Sequence, residues 1–247
     1  MKIRHLVLVN KSIQNISFAD LSQATASLQT QLDRDFTPLW GVRAQIVPLN
    51  KGTPIPPHTW PIIILDNPKN GLGIHLDKAG KPFAEVEATN DWSVTVSHEM
   101  LEMLVDPLGH RFIQAPDIDP DSDGHLVYYL QEVGDPCEIF EYSINGVAVS
   151  DFVTPDYYDP NAGNGMPVDF LGQLSGPFDV PQGGYISWID PQDGRWHQKQ
   201  VDGSFVTARK RANLKGNARD DRDTAFGGEH DSDRHRVSKW KALYGRK

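Results

Sequence analysis

The stretch S-V-T-V-S-H-E-M-L-E-M-L-V-D-P, residues 93–107, decides how this chain is read. Its length suits a helix of about four turns, and Pro107 ends it because proline cannot continue the ladder. On such a helix His98 and Glu102 stand four apart on one face, so both can grip one ion. Glu99 lies about 100° round from His98, where it can reach a water beside that ion without being a ligand. Val94, Val96, Met100, Leu101, Met103, Leu104 and Val105 are uncharged, so the helix is expected to be buried. A buried helix carrying Glu99 and Glu102 needs compensation for their charge, and a cation supplies it. The plainer alternative is a core helix whose His and Glu are satisfied by hydrogen bonds.

Working outward, H-L-V-L-V (5–9) reads as a buried strand. Ser17 and Asp20 resemble a capping box, and Phe18, Leu21, Leu28, Leu32 and Phe36 form one apolar stripe, which predicts a long helix. Residues 42–49 and 60–66 are strand-like, the second apolar enough to be central. N-P-K-N-G-L-G and D-K-A-G-K-P carry turn chemistry, with His75 between them as a turn residue or a cleft-facing one. Residues 83–88 alternate Phe83, Glu85 and Glu87 with Ala84, Val86 and Ala88, as an edge strand would. Residues 108–200 are rich in Gly, Pro, Asp and aromatics, with short strand-like pieces. The expected class is α+β: a sheet with a long helix and an active-site helix, then an irregular β-rich part. The expected organisation is one domain over 1–207, divided at 107, and a charged tail over 208–247.

Downstream lies L-Q-E-V-G-D-P-C-E, residues 130–138. Together, His98, Glu99, Glu102, Asp106, Pro107, Glu132, Asp135 and Cys137 make a pattern H-E-x-x-E-x-x-x-D-P … E-x-x-D-x-C. It resembles uncharacterised bacterial proteins of zincin-like fold and, more loosely, plant phosphate-induced (exordium-type) proteins. The likeness covers roughly residues 1–140 and implies a metallopeptidase-like domain. Glutamate zincins take a third ligand from a downstream glutamate, with an aspartate one turn on to orient a ligand. That implies Glu132 as third ligand and Asp135 as the residue that orients a metal-bound histidine, with the reverse assignment open. Glu102 departs from the two-histidine zinc pattern. Zinc is the first expectation for the ion, with manganese or calcium as alternatives.

Other acids and histidines have plainer readings. Asp106 either supports a ligand or ends the helix. His110 is an alternative ligand but stands 12 residues from His98, where the metzincin third histidine requires 10. Asp119 to Gly124 opens like a calcium loop, yet Leu130 occupies the twelfth position where a glutamate is needed. A tyrosine among Tyr157, Tyr158 and Tyr185 could face a cleft, although core packing suits them better.

Composition narrows the partners. Formal charge is −9, made of about −15 over 1–207 and +6 over 208–247. An acidic body argues against nucleic acid, whose phosphates need Lys and Arg. Cys137 is the sole cysteine, so no internal disulfide forms. No run suits a signal peptide or a membrane span, which makes a cytoplasmic protein the expectation. Oligomeric state is not legible. The reading that follows is a metal-dependent hydrolase of a peptide or protein substrate. Its rivals are a catalytically silent peptide- or partner-binding module and a phage- or secretion-associated structural protein.

Overall fold

The computed structural model describes residues 3–68, 72–162, 165–202 and 205–210. The first half builds one five-stranded sheet. Its strands are β1 (Arg4–Asn10), β2 (Ala44–Leu49), β3 (Trp60–Leu65), β4 (Gly73–Lys78) and β5 (Lys81–Glu87), in the order β2-β1-β3-β5-β4. All neighbours are parallel except β4, which pairs antiparallel with β5. The apolar run Ile62–Ile64 does sit at the centre, on β3.

Helix α1 (Phe18–Thr30) starts with the capping box: the Ser17 hydroxyl accepts from the Asp20 N–H, and the Asp20 carboxylate accepts from the Ser17 N–H. The helix loosens into a π-helical turn over Gln31–Phe36 and ends as α2 (Thr37–Trp40). Leu21, Leu28, Leu32 and Phe36 are buried, whereas Phe18 faces solvent. Helix α3 (Trp92–Val105) is the quoted stretch. It packs on β3, β4 and β5 while α1 packs on β1 and β2. The helices touch where the Ser97 hydroxyl donates to Gln31 Oε1 at 2.8 Å.

The second half is more regular than its composition suggests. Strands β6 (Phe112–Pro116), β7 (Leu126–Leu130), β10 (Tyr185–Asp190), β11 (Arg195–Asp202) and β12 (Phe205–Lys210) form an antiparallel sheet ordered β12-β11-β10-β7-β6. Between β7 and β10 comes a hairpin of β8 (Glu141–Ile144) and β9 (Val147–Ser150) that packs on α3. One apolar cluster runs from Leu6 and Leu8 through Met100 and Met103 to Tyr129 and Trp188, joining both halves. Strand β12 carries the sheet three residues past 207; the rest of the expected tail lies outside the described residues. No helix among the described residues is long and apolar enough to cross a membrane.

Two expectations change. The strand around residues 83–88 is not an edge: β5 lies between β3 and β4, and β4 is the edge. Its alternation reports one-sided burial, with Pro82, Ala84 and Val86 inward. His75 is not a turn residue. It sits mid-strand on β4 at 2% exposure.

Two carboxyl groups are sealed in the core beside Cys137. Asp169 accepts backbone N–H bonds from Gln173 and Leu174, and Asp151 Oδ1 accepts from Phe152 and Leu171. Burial, then the facing Asp169 carboxylate, push Asp151 up to about 8. A folded chain that keeps this proton loses stability as pH climbs from about 4, where an ordinary aspartate ionises, to about 8, and the loss levels off above that. Asp151→Asn has nothing to ionise, and its amide can offer Asp169 an N–H in place of the carboxyl proton. Its melting temperature at pH 8 should exceed the parent's, by about 2–4 °C per kcal/mol recovered. Melting curves of the two that track each other from pH 4 to 8 would refute a protonated Asp151.

Candidate metal centre

Three segments bring the site together. Helix α3 contributes His98, Glu99 and Glu102; β4 contributes His75; and the loop leaving β7 contributes Glu132 and Asp135. That loop is held in place before any side chain is considered. Val153 N–H donates to the Val133 carbonyl, and the Tyr158 hydroxyl donates to the Glu132 carbonyl. A 3-10 turn over Asp135–Cys137 closes it. The loop runs so close to α3 that a Cβ on Gly134 would lie 2.5 Å from His98 Nδ1, so only glycine fits. Gly73 on β4 plays the same part for Glu99, whose Oε1 would lie 2.6 Å from a Cβ there.

Glu102 is the pivot. Its Oε1 accepts the backbone N–H groups of Gly134 and Asp135 at 3.2 and 3.3 Å. The same oxygen lies 3.4 Å from His98 Nε2, and Oε2 lies 3.4 Å from His75 Nδ1. Asp135 Oδ1 is 3.6 Å from His98 Nε2. Glu99 Oε2 is 3.4 Å from His75 Nδ1, and Glu132 Oε2 is 3.5 Å from His75 Nε2. All six residues are buried.

These spacings suit a shared ion better than hydrogen bonds. Nitrogen–oxygen hydrogen bonds centre near 2.9–3.0 Å. Donors about 2.0–2.1 Å from a tetrahedral ion stand roughly 3.3 Å apart. The ligand atoms of His98, Glu102 and Asp135 all lie within 4.8 Å of one another, and so do those of His75, Glu99 and Glu102. One imidazole and two carboxylates is a donor set that zinc and manganese accept.

In the metal-free chain the histidines carry the balancing charge. Burial pulls His98 down, but Glu102, then Glu138 and Asp135, outweigh it and hold its pKa well above the ordinary value. Burial likewise opposes His75, yet Glu132, Glu102 and Glu99 raise it to about 10. Glu102 is held well below the carboxylate range, with His98 and then His75 overcoming the cost of its burial. A cation entering here competes with these protons.

The expected residues are therefore partly sorted. His98, Glu99 and Glu102 share the site with both downstream acids. Asp135 is the one that meets His98, while Glu132 meets His75. Asp106 Oδ1 accepts the His110 N–H at 2.8 Å, which is helix termination, and His110 is exposed. Cys137 is buried against Asp151 and Asp169 rather than facing His98, and burial pushes its thiol up. Asp117, Asp119 and Asp123 hydrogen-bond backbone N–H groups two residues on, an ordinary loop use. Tyr157 and Tyr158 are core residues whose hydroxyls donate to backbone carbonyls. His75 is the ligand-type residue least visible in sequence; its signal was the strand alternation Ile74–Lys78, broken up by flanking turn residues. No family model, no curated protein and no solved structure matches this chain.

Proposed function

We propose that the chain is a metal-dependent hydrolase acting on peptides, with His98, Glu102 and Asp135 as the ligands of a divalent ion. The observation that carries this reading is the buried set of ligand atoms at ion spacing, with Glu99 alongside on the same helix. A divalent ion held there would polarise a carbonyl and make a nearby water more acidic. Glu99 would accept the proton of that water as its oxygen attacks the carbonyl carbon. It would return the proton to the leaving nitrogen as the C–N bond breaks. Strand β4 is the sheet edge beside α3, so an extended peptide could add to it as a further strand. The resemblance to zincin-like proteins points the same way.

The site is most open on the side of His98, whose side chain is 11% exposed, and of Glu138 at 44%. The remaining ligand side chains are at most 7% exposed. This closure favours a second reading: an ion that holds α3, β4 and the 131–138 loop together, in a binding module without catalysis. Structural metal sites are closed, whereas catalytic sites keep a position open. Screening the full chain with added zinc or manganese against a broad peptide library separates the two. Cleavage that a chelator abolishes is expected. Metal uptake that raises the melting temperature with no cleavage would give the site to the structural reading.

A further inference from the structure

We infer that the site holds two divalent ions, bridged by Glu102, with His75 and Glu99 as the remaining ligands of the second. This deepens the proposed function, since it rests on His98, Glu102 and Asp135 being the first ion site.

Geometry makes the case. The two oxygens of Glu102 face different histidines at equal distance, Oε1 toward His98 Nε2 and Oε2 toward His75 Nδ1, each at 3.4 Å. A carboxylate divided in this way is how neighbouring ions share a ligand, and two-ion sites keep their ions about 3.5–4 Å apart. Glu99 Oε2 stands 3.4 Å from the same His75 nitrogen, completing a triad equivalent to the first.

The far nitrogens of both imidazoles support the assignment. A metal-bound histidine generally offers its other N–H to a carboxylate or carbonyl. His75 Nε2 faces Glu132 Oε2 at 3.5 Å, and His98 Nδ1 faces Glu138 Oε2 at 3.8 Å, so each outer acid lies on the right side of its ring though beyond hydrogen-bond length. Each histidine thus has acids of the ion site on one nitrogen and an acid outside it on the other. This gives Glu132 a place on the outer side of His75, where it would accept that N–H once the second ion seats the ring.

Charge points the same way. Glu99, Glu102, Glu132 and Asp135 are each at most 5% exposed. Four carboxylates buried this deeply call for nearby positive charge, and a second ion adds two charges to those of the first. With two ions, Glu99 would hold the second through Oε2, and the proton-accepting role proposed above would fall to its other oxygen.

The test is a metal count on the full chain, stripped with chelator and dialysed against zinc or manganese ions. Two ions per chain are expected, and the manganese form should give the paramagnetic resonance spectrum of a coupled pair. His75→Ala should hold one ion and show an isolated manganese signal. Glu99→Gln should do the same, and serves if the alanine variant does not fold. One ion in the parent, lost in His98→Ala and kept in His75→Ala, overturns the second site and leaves the proposed function standing. Two ions in the parent and in both His75→Ala and Glu99→Gln overturn the ligand assignment. No ion in the parent overturns both.

Discussion

Glu99→Gln should lower hydrolysis of a cleaved peptide by about 10²–10⁴-fold, the usual worth of a positioned proton acceptor. The amide is nearly the size of the carboxylate, and Gly73 leaves the room that the side chain occupies. Folding should therefore survive the change, as circular dichroism can verify. The first ion should survive too, because His98, Glu102 and Asp135 are untouched. Steady-state kinetics measures the effect, and the metal content of the same sample interprets it. A rate loss with the ion count unchanged makes Glu99 the proton acceptor. A rate loss with one of two ions gone makes it a ligand. A variant as fast as the parent would mean that Glu99 takes no part, and that its charge only balances His75.

Glu102 should be the most sensitive residue for metal binding. It faces both histidines, and its Oε1 also accepts two backbone N–H groups of the 131–138 loop. Glu102→Gln keeps an oxygen for those donors but removes the charge. Losing an outer partner of a metal ligand costs about 10–100-fold in affinity. Removing the charge of the ligand between both histidines should therefore cost on the order of 10²-fold or more. Competition against a zinc-sensitive dye measures it. Glu102→His would create the familiar pair of histidines four apart, yet an imidazole cannot accept both loop N–H bonds as Oε1 does. Leaving buried donors unpaired costs about 1–3 kcal/mol. The histidine variant should thus be less stable than the parent even if it binds zinc. Parent-like zinc affinity in Glu102→Gln would remove Glu102 from the ligand set.

Local patterns were legible where one element made them. The i, i+4 placement of His98 and Glu102, the Ser17–Asp20 capping box and the central apolar strand at 62–64 each depend on a single stretch of chain. The α+β class followed from the same signals. What depended on pairing between distant strands was not visible. The alternation at 83–88 shows which face is buried, but an inner strand with one covered face looks the same as an edge strand. β4 was hidden because its six residues lie between turn-rich segments, so His75 could be read as a turn or cleft-facing residue but not as a ligand. The choice between Glu132 and Asp135 turns on how Gly134 lets the loop press against His98. Spacing along the chain identified the loop but could not say which acid turns toward which histidine.

Anomalous diffraction at the zinc edge from zinc-soaked crystals of the full chain locates an ion at α3 without recourse to activity. A peak is expected about 2.0–2.2 Å from His98 Nε2 and from oxygens of Glu102 and Asp135. Crystals that take up zinc elsewhere or not at all, with His98 and Glu102 drawn together into a direct hydrogen bond near 2.9 Å, would contradict it.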